Sequence, residues 1–256
     1  MKILAVDTSS SYGVVSISED EQVLGEFSIT SNETHSARLL PSIDWLLKMV
    51  GLSMKDVDAF AISLGPGSFT GLRVGLSTIK GFAWSTNKPI VGMNSIEILA
   101  YQYKCSHCTI VPMIDARKGR VYAAAYQWIS GISGGSGDSR KNCLDEREEQ
   151  EYQDLVPLMT PVDIEVKELI SQIESQKGIV CFGSGARKYC DLLFQIGGTR
   201  ILLAPKDCDI PKGGTLALLA YKKFLEGNRV DSVNIEPLYL RASEAELKAK
   251  GNVFNE

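Results

Sequence analysis

The chain predicts an α/β protein of two like-folded lobes, each a mixed sheet flanked by helices. Two observations carry this. Apolar runs of strand length alternate with segments of helical period along the chain. The landmarks also repeat in order: a strand ending in Asp, a hairpin, a helix, a strand ending in a Gly-x-Gly turn, a helix and a strand. Asp7 corresponds to Asp115, and Gly65-Pro66-Gly67 corresponds to Gly183-Ser184-Gly185. The lobes are expected at 1–103 and 104–256, with the boundary near 103–108.

The elements follow in order. Residues 2–6 are a short apolar run closed by Asp7 and the Thr8-Ser9-Ser10-Ser11 cluster, a buried strand and a tight turn. Residues 12–18 and 22–29 alternate around Glu19-Asp20-Glu21, as an antiparallel hairpin does. From Thr34, Leu39, Leu40, Ile43, Leu46, Leu47 and Val50 recur at helical spacing, with Gly51 placed to end the helix. Arg38, Trp45 and Met49 lie on its other face. Residues 57–64 read as a strand, a helix restarts near Phe69, and Pro89 to Met93 is a strand. Asn94 or Ser95 caps a helix reaching Tyr103. In the second half, strands are expected at 109–114, 121–128, 179–182 and 201–204, and helices at 162–175, 186–195 and about 214–226. That last helix could pack back on the first lobe. Residues 129–143 are Gly/Ser-rich and 144–152 acidic, so an insertion loop is expected near 129–152.

Composition narrows the function. The apolar fraction of 44% and charged fraction of 23% are those of an ordinary globular protein. A net charge of −4 gives no general pull toward nucleic acid. The N-terminus has too short an apolar run for a signal peptide, and no run approaches membrane-helix length. The six Cys are therefore expected as reduced thiols in the cytoplasm. Cys105-Ser106-His107-Cys108 has C-x-x-C spacing, but a structural zinc usually draws on two such knuckles, and the other Cys are scattered. The pair reads as incidental. His35 and His107 are far apart and form no H-x-x-x-H or H-E-x-x-H pair, and no G-x-S-x-G elbow occurs.

Two landmarks carry possible chemistry. Asp7, Gly65, Gly67, Asp115, Gly183 and Gly185 could line a nucleotide and Mg²⁺ cleft, since Gly turns approach phosphates and a strand-end carboxylate can hold the metal through water. Equally, they are turn residues of a duplicated fold. The stretch 59–84 is the sharper signal. Its helix carries Gly71, Gly75 and Gly81, each costing roughly 1 kcal/mol relative to Ala. Gly67, Gly71 and Gly75 recur every four residues as a groove suited to close packing of another helix. With Leu72, Leu76 and Ile79 on one face and Phe69, Val74, Phe82 and Trp84 elsewhere, this helix is apolar nearly all round. A partner protein and the interlobe core are both open as what covers it.

Five segments resemble the TsaB (YeaZ) family of tRNA threonylcarbamoyladenosine biosynthesis. They are ILAVDTSSSYGVVSI at 3–17, HSARLLPSIDWLL at 35–47, SLGPGSFTGLRVGLSTIKGFA at 63–83, PMIDARKGRVYAAAY at 112–126 and EPLYLRASEAE at 236–246. The resemblance implies actin-like (RNase H-like) lobes, as in Hsp70 and sugar kinases. It implies a non-catalytic partner of a TsaD-type subunit that transfers threonylcarbamoyl to N6 of adenosine 37 in tRNA, with a TsaE-type ATPase joining the complex. It places ATP/ADP and Mg at the level of the complex, with no cofactor assigned to this chain, and tRNA contact through the complex alone. The resemblance implies that the paired metal-binding His belongs to the catalytic relative; here His35 stands alone. Partner binding and self-pairing are implied for helices at about 34–50 and 69–86, through Arg38, Ser42, Trp45, Met49, Gly71, Val74, Gly75, Thr78 and Phe82. The rival expectations are an independent kinase or ATPase of the actin-like superfamily and a metallopeptidase.

Overall fold

The computed structural model describes residues 1–31, 33–105, 107–130, 153–173 and 178–241. The first sheet holds β1 (Lys2–Asp7), β2 (Gly13–Glu19), β3 (Gln22–Ile29), β4 (Ala59–Gly65) and β5 (Ile90–Asn94) in the order β3-β2-β1-β4-β5. The second holds β6 (Cys108–Arg117), β7 (Arg120–Ser130), β8 (Gln153–Glu165), β9 (Gly178–Phe182) and β10 (Ile201–Leu203) in the order β10-β9-β6-β7-β8. Each sheet has an antiparallel meander of three strands and two parallel strands. The expected duplication is thus present strand for strand.

β1 is central, so Ile3, Leu4, Ala5 and Val6 are buried on both faces and show no polar alternation. One face of the first sheet is covered by α1 (His35–Met49) and α2 (Phe69–Thr86), which share a core with Leu4, Val6, Phe60 and Ile62. The other face is covered by α7 (Gly213–Leu225), whose Leu216, Leu219 and Ala220 pack with Ile3, Ala5 and Ala61. α3 (Ser95–Tyr101) joins the sheets. Its Ile96, Leu99 and Ala100 pack with Ile110, Tyr126, Trp128 and Phe182 of the second. Asn94 caps it by accepting from the Ile96 N–H at 2.8 Å.

The second lobe departs from the expected elements in three places. Val162 to Glu165 are strand, not helix; only α4 (Val166–Gln172) is helical. Val162 and Ile164 are β-branched, and Asp163 between them accepts from Arg120 Nε at 2.7 Å across the β7–β8 pair. Pro157 and Pro161 fit because β8 is an edge strand. The helix expected at 186–195 is two, α5 (Ser184–Lys188) and α6 (Cys190–Gly197), broken at Tyr189. Ile129 and Ser130 end β7 rather than begin a loop, and the rest of the expected insertion lies outside the described residues. The sulfurs of Cys105 and Cys108, which the sequence leaves as an incidental pair, are brought together, with their Cα atoms 6.0 Å apart.

The glycine stripe of α2 receives a turn, not a helix. The β1–β2 turn lies along it. A methyl group at Gly67 would strike the Ser9 carbonyl, at Gly71 the Thr8 carbonyl, and at Gly75 the Thr8 hydroxyl. The Ser68 N–H donates to Ser9 O at 2.6 Å, and Thr8 Oγ1 donates to Gly71 O at 2.7 Å. The tail then straps the first lobe. Val230 and Ile90 exchange N–H···O bonds of 2.9 Å, Ile235 is buried, and the Leu238 N–H donates to Leu64 O at 2.7 Å. Tyr239 stacks on Phe69 with centroids 4.5 Å apart and accepts from Arg73 Nε at 3.1 Å.

This packing separates two glycines of the same helix. Gly81 has open space around it, so Gly81→Ala should stabilise the chain by about 0.5–1 kcal/mol through helix propensity. Gly75→Ala should destabilise it by about 1–3 kcal/mol by overpacking against Thr8. Urea midpoints decide; shifts of the same sign for both would refute the assignment.

Candidate functional site

The first-lobe landmarks meet at the end of β1. Asp7 is 1% exposed, and its Oδ1 accepts the Ser9 N–H at 2.7 Å, an Asx turn set by the Asp-Thr-Ser sequence. Its Oδ2 is buried with no hydrogen-bond partner. Burial pushes the Asp7 carboxyl up, outweighing the Ser9 N–H bond. Gly65 has φ +110°, and a side chain there would meet the Leu238 carbonyl at 2.8 Å and Leu72 at 2.9 Å. The Gly65–Pro66–Gly67 turn is therefore enclosed by the tail on one side and Ser9 on the other. The Ser68 N–H, which a phosphate would need, is already spent on Ser9 O.

The matching landmarks of the second lobe are also committed, by another route. Asp115 Oδ2 accepts from Lys188 Nζ at 2.7 Å, while Oδ1 accepts the Arg117 N–H at 2.9 Å and the Tyr189 hydroxyl at 3.2 Å. Partial burial raises its carboxyl, but the Lys188 ion pair and these bonds prevail and hold it below the usual carboxylate range. Gly183 has φ +94°, and its N–H donates to Asp209 at 2.7 Å. Gly185 lies where a side chain would meet Val121 at 2.9 Å. A Mg²⁺–nucleotide fits these residues poorly, because one carboxylate is enclosed, the other is paired, and the Ser68 and Gly183 N–H groups have partners.

His35 is likewise held within the chain. Its Nε2 lies 2.9 Å from Ser10 O, and its Nδ1 lies 3.2 Å from Arg38 Nη2. Burial and the Arg38 charge lower its pKa, against the raising effect of the Ser10 carbonyl. Among the described residues no group of three His, Cys, Asp or Glu could hold a metal ion.

The residues expected on the helical face divide. Arg38 and Ser42 are 6% and 7% exposed. Arg38 Nη2 donates to Ser11 O at 2.7 Å, and Ser42 Oγ donates to Arg38 O at 2.8 Å. Gly71 and Gly75 lie under the β1–β2 turn. These four face the chain's own interior: Gly71 and Gly75 meet Thr8, Arg38 bonds Ser11, and Ser42 bonds its own helix at Arg38. Val74, Thr78 and Phe82 are half-buried. Trp45 and Met49 are open, at 49% and 66% exposed, with Trp45 resting on Phe27 at 5.1 Å. Two residues missing from the sequence-based set join them: Leu40 at 51% and Trp84 at 79%. Leu40 was assigned to the buried stripe, but it sits on the stripe's solvent edge.

The orphaned carboxyl gives a pH test. A group whose folded pKa is raised contributes its stability below the unfolded value, about 3.9 for Asp, and loses it as pH rises through the folded value. Asp7→Asn, which carries no titrating proton, should therefore raise the thermal midpoint at pH 7, and the advantage should vanish below about pH 4. An advantage independent of pH would show that burial does not raise the Asp7 carboxyl.

Comparison with known proteins agrees with this fold. The family model described as TsaD, tRNA N6-adenosine threonylcarbamoyltransferase, matches residues 22–249. A protein of Escherichia coli K12 named tRNA threonylcarbamoyladenosine biosynthesis protein TsaB is 30% identical over 253 residues, covering 98% of this chain and 99% of the relative. A Bacillus subtilis protein of the same name is 27% identical over 97% of both chains. The solved structure of YeaZ from Pseudomonas aeruginosa superposes with a TM-score of 0.71 at 22% identity, over 93% of this chain and 99% of that one, a likeness of fold. By the span of the family model and the full-length likeness to the E. coli relative, the chain belongs to the TsaD-type family, within its TsaB group, whose role is in tRNA threonylcarbamoyladenosine biosynthesis.

Proposed function

We propose that this chain is a non-catalytic partner subunit that binds a TsaD-type threonylcarbamoyltransferase through the outer face of α1 and α2. The observation that carries the proposal is the set of large apolar side chains left in water there: Leu40, Trp45 and Met49 on α1 and Trp84 on α2. Aromatic and Met side chains of this kind anchor protein interfaces. Val74, Thr78 and Phe82 line the half-buried margin of the same helices. The landmarks that an independent kinase or ATPase would use are turned inward, which weighs against that reading. Adenine nucleotide and Mg then belong to the complex, a TsaE-type ATPase joins through the complex, and tRNA is met through the catalytic subunit. Self-pairing in the absence of the partner would use the same helices. The setting is the cytoplasm, and the lobe division is 1–103 and 104–256.

Trp45→Glu and Trp84→Glu should each weaken binding to the catalytic subunit by at least tenfold while leaving the urea midpoint within about 0.5 kcal/mol of the parent, as expected of exposed sites. Gly75→Arg is unsuitable as a surface probe because of Thr8. Isothermal titration with the purified catalytic subunit measures the first effect. Threonylcarbamoyl transfer with and without this chain measures the functional one. Unchanged binding in both variants would overturn the interface. Transfer that is indifferent to this chain would overturn the partner role.

A further inference from the structure

We propose that Cys105 and Cys108 form a reversible thiol–disulfide site, which exchanges with small disulfides and reports on the order of the segment joining the two sheets. The structure brings the two sulfurs together, across the three-residue separation of a C-x-x-C motif. That spacing is the one redox-active pairs use. On the cytoplasmic setting proposed above, a bond between the two sulfurs is a transient or sensing one rather than a permanent staple.

The site is asymmetric in the way exchange requires. Cys105 is half-buried and Cys108 is 6% exposed at the start of β6. An incoming thiol or disulfide therefore meets Cys105 first, and Cys108 is the resolving sulfur. In the oxidising direction the Cys105 thiolate attacks a glutathione disulfide, forming a mixed disulfide and releasing one glutathione thiolate. The Cys108 thiolate then attacks Cys105 Sγ, closing the ring and releasing the second. Two electrons pass from the protein thiols to glutathione disulfide, and the two protein protons end on two glutathione thiols.

Two of the other described thiols are poor competitors. Cys181 is fully buried, and burial pushes its thiol up to about 12. Cys208 is buried, and burial raises it as well.

The position of the pair gives the exchange a structural consequence. It lies between α3, which ends at Tyr101, and β6, which begins at Cys108, so it spans a direct crossing between the sheets. The same crossing holds the deepest indole of the chain. Trp128 is 2% exposed, and its Nε1 donates to Tyr103 O at 2.8 Å. Tyr101 meets it edge-on with centroids 5.3 Å apart, and Lys104 Nζ lies 5.7 Å from its ring. Opening the Cys105–Cys108 ring removes the constraint next to these contacts.

The test uses the full chain equilibrated with reduced or oxidised glutathione, quenched in acid, unfolded and alkylated. The peptide bearing Cys105 and Cys108 should carry two alkyl groups after reduction and none after oxidation. In Cys105→Ser, Cys108 should not form an intramolecular bond under either condition. In the W45F/W84F variant, which leaves Trp128 as the sole indole, emission should shift between the two states. Full alkylation after glutathione disulfide would overturn the proposal. So would a bond that resists dithiothreitol in the folded chain, which would mark a fixed staple. Equal emission in both states would overturn the coupling to the interlobe segment.

Discussion

Much of the first lobe depends on one contact, the seating of Thr8 and Ser9 in the glycine stripe of α2. β1 ends there, and its turn must find partners for backbone groups that the sheet no longer supplies. Gly67, Gly71 and Gly75 let the turn come close enough for Ser68 to donate to Ser9 O and for Thr8 to donate to Gly71 O. The closeness shuts Asp7 away from solvent. It also fixes the rotation of α2, so that Thr70, Arg73, Ser77, Gly81 and Trp84 point outward. The propensity cost of Gly71 and Gly75, about 1 kcal/mol each in a helix interior, is offset by contacts that no larger residue would permit.

The tail works on the flank of the same helix. Ile235 fills the core beside Ile90, Leu238 bonds the end of β4, and Tyr239 stacks on the first residue of α2. Arg241 then lies 4.0 Å from Asp163, which already pairs with Arg120 in the second sheet. A segment without regular structure thus joins the two lobes. Its motif, Glu236-Pro237-Leu238-Tyr239, serves the packing of α2, a role that spacing alone does not reveal.

The duplicated architecture was legible because strand runs and landmarks recur in one order, and the sheet orders match strand for strand. The limits of legibility have physical causes. The period of Val162 to Ser175 suits a helix, yet Asp163 is bound to Arg120 from a strand far off in sequence, and that pairing overrides local preference. The glycine stripe was correctly read as a close-packing groove, but one-dimensional spacing says nothing of what fills it. A turn with short side chains, Thr8 and Ser9, fits where a helix was expected. Likewise, Arg38 reads as part of the other face of α1 and still goes inward, because the β1–β2 turn offers the Ser11 carbonyl. Trp84 had a readable signal, an aromatic residue among Gly81, Ser85 and Asn87 at the end of a helix.

The two lobes reach one electrostatic outcome by opposite means. Asp7 and Asp115 hold the same place in the repeat, yet one is raised by burial and the other is lowered by Lys188 and its hydrogen bonds. A carboxylate that serves a cation or phosphate must be charged and open. Asp7 is enclosed, with the charge disfavoured, and Asp115 is charged but its charge is taken by an ion pair. The glycine turns show the same division, with Ser9 filling the first and Asp209 binding the Gly183 N–H of the second. A fold whose cleft landmarks are enclosed or paired within the chain leaves its exposed apolar surface elsewhere, in the Trp, Met and Leu side chains on the outer helices. Burying a side chain of that kind is worth about 1.5–3 kcal/mol, and that surface is where binding can change the energy of this chain most.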